Sequence, residues 1–340
     1  MNKIGKIILS LMLSLSLFGC QKEGGKEEKN QDNQIEKQEK NEEIKKTSIT
    51  LSFVGDITLG NYAGQGYSGS FDQEYEKQGK DTSYFLRKVK SVFEKDDLTV
   101  ANLEGPLTTS KEYADKQFAF QGKPEYVNIL ADGNIEAVTL ANNHSKDHFT
   151  QGMKDTKAIL NTKGIHHFGY NESTIIDVKG IQVGFLGFSF PQSLTTEMKE
   201  AITKLKDKID LVIVYFHWGI ERDYAPMASQ RKLAKQCIDA GVDLVVGSHP
   251  HVLQGIETYK GKQIVYSLSN FCFGGNKNPS DKDTMIYQHT FSFENKQLVS
   301  EDHQVIPCMI TSTSSRNNYQ PMLVDGKDAK RVLKKVNSIQ

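Results

Sequence analysis

The sequence predicts a layered α/β domain built on a largely parallel or mixed sheet. Two observations lead there. From Ser48 to Ser267, short apolar runs of strand length alternate with segments whose apolar residues recur at helical spacing. Most of the short runs also stop at glycine or a polar cluster, which is how a buried strand turns out of a sheet.

Residues 49–54 alternate with period two and break at Gly55-Asp56, giving a first buried strand. Residues 84–93 carry Phe85, Val89, Val92 and Phe93 at helical spacing, and residues 97–103 form a strand that ends at Glu104-Gly105. A short helix over 126–130 precedes a strand over 135–141, which runs into Asn142-Asn143-His144. A helix over 152–160 leads to a short segment at 165–168, a strand over 181–188 and a helix over 198–205. The β-rich run 210–217 ends in His217, and a helix over 228–240 is closed by Gly241. Residues 243–247 then form a strand whose end delivers His249-Pro250-His251, and 263–267 resume the pattern. Residues 285–293 and 298–306 read as an antiparallel pair capping the domain, and 327–336 as a C-terminal amphipathic helix. With no internal repeat and no second apolar core, residues 48–340 are expected to form one domain.

Lysine plus arginine and aspartate plus glutamate both number 42, so the formal charge is zero; without a basic arm or stripe, nucleic acid is excluded as a partner. At the N-terminus, Lys3 and Lys6 precede an apolar run over 7–18 that is short for a membrane span. It ends Leu17-Phe18-Gly19-Cys20, which resembles the cleavage box of bacterial lipoprotein signal peptides. That resemblance implies a signal peptide over 1–20 and lipidation of Cys20. The mature chain would then be anchored to membrane lipid on the extracytoplasmic face of the cell membrane. An ordinary secretory signal or an uncleaved anchor is the alternative. Residues 21–47 are Lys, Glu, Gln, Asn and Gly with almost nothing apolar, and are expected to be a disordered charged tether. Cys237, Cys272 and Cys308 have no framework spacing, and the first two are expected to pack on a helix and in or beside a strand.

The chemistry-bearing residues share one position in the pattern. Asp56, Glu104, Asn143 with His144, His217, and His249 with His251 all stand at ends of predicted strands. In open α/β sheets such ends gather at one edge, where ligand crevices form. Imidazole is a ligand suited to zinc, iron, nickel and copper and is largely neutral at pH 7. A single histidine of this kind is most simply a satisfied loop residue, whereas the set together with the acids reads as a metal site.

The ordered stretches Val54-Gly-Asp56, Ala101-Asn-Leu-Glu104-Gly-Pro106, Ala141-Asn-Asn143-His144 with Asp147, His217-Trp-Gly-Ile-Glu221, Gly247-Ser-His-Pro-His-Val252 and Tyr266-Ser-Leu-Ser-Asn270-Phe271 resemble the capsule-synthesis CapA family. Its members include the accessory protein of poly-γ-glutamate synthesis. The resemblance covers about residues 48–273, and the family is similar to calcineurin-like metallophosphoesterases. It implies a four-layer α/β sandwich of that type, with mixed sheets flanked by helices. It also implies one or two divalent ions (manganese, zinc or iron), with Asp56, Glu104 and His251 at one and Asn143, His217 and His249 at the other, Glu104 bridging. His144 would contact substrate and protonate the leaving group, with Asp147 orienting its ring. The chain departs from the wider pattern where Thr58 stands in place of a ligating histidine, and where Glu104 takes the place of a bridging aspartate.

Among the other residues, Trp218 and Tyr266 are expected to be packing, while Glu221 is either a partner for His217 or a surface residue. Asn270 could orient a ligand or satisfy a turn, and His148, His166, His167, His289 and His303 read as surface or turn residues. Two functions follow from the resemblance and the tether. One is a metal-dependent phosphoesterase; the other is a non-catalytic subunit that binds or guides an anionic surface polymer beside synthase partners. A solute-binding lipoprotein would leave the acids and histidines at the strand ends unexplained.

Overall fold

The structure, a computed structural model, describes residues 44–337. The expected signal peptide, Cys20 and most of the expected tether lie outside the described residues. No helix among the described residues is long and apolar enough to cross a membrane.

Two mixed sheets stack face to face. The first is ordered Met322–Leu323, Gln297–Met309, Asp283–Glu294, Lys46–Thr58, Leu98–Leu103, Ala137–Thr139 and His166–Phe168, with Asn270–Phe273 pairing the end of Lys46–Thr58. The second is ordered Ile256–Tyr259, Lys262–Val265, Leu244–Ser248, Leu211–His217, Ile181–Ser189 and Thr174–Val178. Within each sheet the inner strands run parallel, and antiparallel strands join at the sides.

Side-chain alternation explains the layering. In Leu211–His217 every residue is buried: Leu211, Ile213 and Tyr215 enter the core between the sheets, while Val212, Val214 and Phe216 face the other way. A strand covered on both faces reads as a continuous apolar run, which is why LVIVYF shows no period-two pattern. The outer face of this sheet packs Met198, Ile202 and Leu205 of helix Thr196–Lys206, and Leu233, Ala234 and Cys237 of helix Ala228–Asp239. Outside the first sheet, Val54, Ala101 and Val138 meet Phe71, Ile129, Leu130 and Leu160 from its covering helices. The result is helix, sheet, sheet, helix, the four-layer α/β sandwich expected above.

Four details differ from expectation, the first being that residues 84–93 form an α-helix only over Lys90–Phe93. The first strand opens at Lys46, paired with Glu294, so it begins inside the stretch expected to be tether. The hairpin Asp283–Glu294 and Gln297–Met309 does not cap the domain; it extends the first sheet, with Phe53 opposite Tyr287. Helix Phe71–Lys77 and strands Thr174–Val178 and Ile256–Tyr259 also have no counterpart in the sequence reading. Cys237, Cys272 and Cys308 are free and buried, the first on a helix and the second in a strand.

Candidate metal centre

The strand ends of both sheets converge, and every metal-site residue expected from the sequence arrives there. Asp56 lies near the end of Lys46–Thr58, Glu104 directly follows Leu98–Leu103, and His217 ends Leu211–His217. His217 Nε2 lies 2.7 Å from Asn143 Oδ1 and 3.6 Å from Glu104 Oε1. His251 Nδ1 lies 3.2 Å from Asp56 Oδ2, and His144 Nε2 lies 3.9 Å from Glu104 Oε1. The ring of His249 sits 4.6 Å from that of His217. Glu104, His249 and His251 each offer a ligand atom within 4.8 Å of the others.

Local backbone forces this convergence. A Cβ on Gly55 would meet the Ser269 carbonyl oxygen at 1.8 Å, so only glycine lets Asp56 N donate to that oxygen at 3.0 Å. His249 and His251 take φ of 99° and 56°, the left-handed region that costs a side-chain-bearing residue energy and recurs at functional sites. That reversal on each side of Pro250 turns both imidazoles toward the carboxylates.

Glu104 is the electrostatic anomaly. It is wholly buried, and neither carboxylate oxygen has a hydrogen-bond partner. An ionised carboxylate in that state costs several kcal/mol unless a cation offsets it. Among the protein groups alone, burial and then the charge of Asp56 push its pKa well above the ordinary carboxylate value. Asp56 goes the other way. Burial opposes its charge, but the hydrogen bond and charge of His251, the charge of His217 and the Asn102 amide hold its pKa well down. Burial would also lower His251, yet Glu104 and Asp56 raise it to about 10. Burial and then His251 lower His249 to about 4, and burial keeps His217 neutral. His249 Nδ1 is buried without a partner. Two unpartnered carboxylate oxygens beside neutral imidazole nitrogens form a donor set that fits a divalent cation.

His144 and Asp147 meet as expected, His144 Nδ1 lying 2.7 Å from Asp147 Oδ2. Phe120 N donates to the same oxygen at 2.7 Å, and Lys116 is ion-paired with the other. Burial lowers the His144 pKa against the pull of Asp147. The Phe120 ring, 4.3 Å from the His144 ring, covers one side.

Sequence reasoning missed the amides beneath the site. Asn102 Nδ2 donates to Asp56 Oδ1 at 2.8 Å and lies 3.2 Å from His217 Nδ1. Asn142 Nδ2 donates in turn to Asn102 Oδ1 at 2.9 Å, and Asn142 Oδ1 accepts from His144 N at 3.0 Å. The one available signal was position, since both amides stand at strand ends beside residues already singled out. Asn270 does orient a ligand candidate: its Oδ1 lies 2.8 Å from His251 Nδ1.

Thr58 is buried and its Oγ1 has no partner. Trp218 is packing, stacked 4.3 Å from Phe216 with its indole N–H donating to Tyr266 O at 2.8 Å, and Tyr266 is likewise core. Glu221 is exposed, makes no hydrogen bond to His217 and lines the mouth of the site. Two of the histidines expected at the surface or in turns are buried. His148 starts helix Phe149–Thr162, and His289 lies between Tyr287 and Glu301 at 3.0 and 3.1 Å. His289 points inward because its strand register does, whereas His148 lies, as expected, in a turn, with its ring buried. Above His144 and His251 opens a cleft of about 200 Å³, walled by Phe118, Phe120 and Phe273 on one side and by Glu221, Arg222 and Tyr224 on another.

The chain is 34% identical over 250 residues to the PGA biosynthesis protein CapA of Bacillus subtilis strain 168, covering 66% of this chain and 63% of that protein. It is 31% identical over 271 residues to the capsule biosynthesis protein CapA of Bacillus anthracis, covering 71% of this chain and 64% of that protein. The chain thus spans somewhat under two thirds of the length of these relatives. A hypothetical protein from Thermus thermophilus, of known crystal structure, aligns with 76% of this chain and 99% of its own at 14% identity and a TM-score of 0.46. The family model for the bacterial capsule synthesis protein PGA_cap matches residues 50–275, which carry every candidate metal ligand, and the chain belongs to that family.

Proposed function

We propose that this chain is a lipid-anchored, extracytoplasmic protein of capsule or poly-γ-glutamate synthesis whose metal centre hydrolyses phosphoesters. The observation that carries the catalytic half is Glu104, a buried carboxylate with no hydrogen-bond partner facing His217 and His144. Family membership and the names of the two Bacillus relatives support the capsule half. The Leu-Phe-Gly-Cys20 stretch supports the anchor.

In this reading Asp56, Glu104 and His251 would hold one ion, and Asn143, His217 and His249 would hold a second, with manganese, zinc or iron the candidates. Bound dications supply Lewis-acid polarisation of a phosphoryl oxygen and a nucleophile near neutral pH. The rest falls to the protein. Asn102 fixes Asp56 and His217 relative to each other, and Asn270 fixes the His251 ring. His144, its Nδ1–H held by Asp147, would take up a second proton on Nε2 from solvent and give that proton to the leaving oxygen, returning to the neutral ring, with Phe120 shielding the transfer.

The test is hydrolysis of a chromogenic phosphodiester and monoester by the purified chain supplied with manganese, zinc or iron. Turnover should depend on metal and vanish in His217→Ala, and His144→Ala should lower kcat by about 10²–10⁴-fold. Metal-loaded protein inert toward both esters with all three ions would reject catalysis. A second reading, a non-catalytic subunit that binds or guides an anionic polymer beside synthase partners, is favoured by Thr58, which leaves the first ion short of a ligand. Under that reading His217→Ala restores surface polymer in a deletion strain. Palmitate labelling that is lost in Cys20→Ala tests the anchor.

A further inference from the structure

The cleft has an outer half that the metal chemistry does not use. Arg222 lines it. Arg87, Arg316 and Arg331 each grip a carboxylate, at Asp81, Glu74 and Asp283. Arg222 meets no carboxylate among the described residues, although it stands beside the centre where charge matters most. Its backbone is held at φ 63° by a hydrogen bond from Arg222 N to Pro250 O at 2.7 Å. Pro250 is the residue between His249 and His251, so the loop bearing the guanidinium is fastened to the loop bearing two ligand candidates.

The chemistry of the neighbouring wall points the same way. Asn276 uses its side-chain oxygen to accept from Asn278 N at 2.9 Å, leaving its amide N–H groups as donors toward the cleft. Ser280 adds a hydroxyl. Asp281, a carboxylate on that wall, is paired with Lys335 at 2.7 Å, a cation it shares with Asp283, and accepts from Tyr224 at 2.8 Å, which leaves Glu221 as the unpaired opposing charge among the described residues. The remaining wall is apolar, with Phe118 41% exposed beside Phe120 and Phe273. Donors and a cation with no carboxylate partner among the described residues on one side, and aromatic rings on the other, suit an extended chain whose methylene stretches pack on the rings and whose carboxylate branches meet the donors.

We propose that Arg222, aided by Asn276 and Ser280, forms an anion-binding subsite that holds a side carboxylate of a polycarboxylate chain laid along the cleft. The choice of a polycarboxylate rests on the capsule reading above; the subsite itself rests on the geometry. Arg222 is therefore a specificity residue for the polymer, outside the metal-binding set.

The test is calorimetric binding of a short oligomer of γ-linked glutamate to the full chain, with the same oligomer bearing α-carboxamides in place of its carboxylates (γ-linked isoglutamine) and inorganic phosphate as separate probes. Loss of one charge-assisted contact should weaken glutamate-oligomer binding about tenfold or more in Arg222→Ala. Arg222→Lys should restore most of it, Arg222→Glu should abolish it, and metal content should be equal in all variants. The isoglutamine oligomer should bind more weakly than the glutamate oligomer to the wild type. Arg222→Ala binding the glutamate oligomer as tightly as wild type would overturn the subsite. So would wild-type protein that takes phosphate but not the oligomer, or that binds both oligomers equally. Metal analysis of samples first loaded with manganese, zinc or iron separates the two claims, because a chain that retains no ion yet still binds through Arg222 sinks the metal centre and spares the subsite.

Discussion

Glu104 Oε1 lies 3.6 Å from His217 Nε2, across the seam between the two sheets, and neither oxygen of that carboxylate has a hydrogen-bond partner. One strand end of each sheet supplies one member of the pair. The centre therefore exists only when both sheets are folded and stacked, and cation binding should couple to the stability of the whole domain.

The first prediction follows from that coupling. Glu104→Gln removes the buried charge while keeping its shape. After chelator treatment the variant should be at least as stable as wild type, and more stable by about 1–3 kcal/mol where the unpaired carboxylate is relieved. Metal added back should raise the melting temperature of wild type and leave the variant nearly unmoved. Scanning calorimetry with and without chelator reads both effects.

Much of this was legible beforehand, for identifiable reasons. The strands ending at Asp56, Glu104, His217 and Ser248 are buried on one or both faces, so their apolar runs are unmistakable and their polar ends stand out. Thr174–Val178 and Ile256–Tyr259 escaped notice because they lie at the sides of a sheet with mixed exposure. The hairpin was seen but misplaced, since pairing of Phe53 with Tyr287 is a contact across more than two hundred residues that no local pattern records. Asn102 and Asn142 were missed because an amide carries no periodic signal, and only its neighbours reveal its work.

The second prediction concerns those amides. Asn102→Leu removes the donor to Asp56 and the acceptor of Asn142 at once and leaves buried partners unsatisfied. The cost should be about 2–4 kcal/mol in urea denaturation, as expected for two such losses. Asn102→Asp should be worse without metal, because it sets a second carboxylate beside Asp56. A variant as stable as wild type would remove Asn102 from the account of the site.

Gly55 gives the third. Any Cβ there meets the Ser269 carbonyl at 1.8 Å, so Gly55→Ala must push apart the end of Lys46–Thr58 and the strand entering Asn270. Overpacking of this kind costs about 1–3 kcal/mol or more. Asp56 and Asn270 should separate with it, so metal content should fall along with stability.

The fourth prediction lies away from the centre. Burial opposes the charge of Asp283, but hydrogen bonds from Arg331 and Lys335 lower its pKa in the fold. A depressed carboxylate contributes stability above its unfolded pKa of about 4 and loses it as pH falls through the folded value. Asp283→Asn should therefore be less stable than wild type at neutral pH, and the gap should narrow below about pH 4. Urea midpoints across that range check the sign, and a gap that widens in acid would refute the assignment.

The most direct test counts ions. Wild-type protein, loaded with manganese, zinc or iron, freed of excess ion and analysed by mass spectrometry, should retain one or two divalent ions per chain, and Glu104→Gln and His217→Ala should retain fewer. A correctly folded wild-type chain that keeps none of the three would contradict the metal centre.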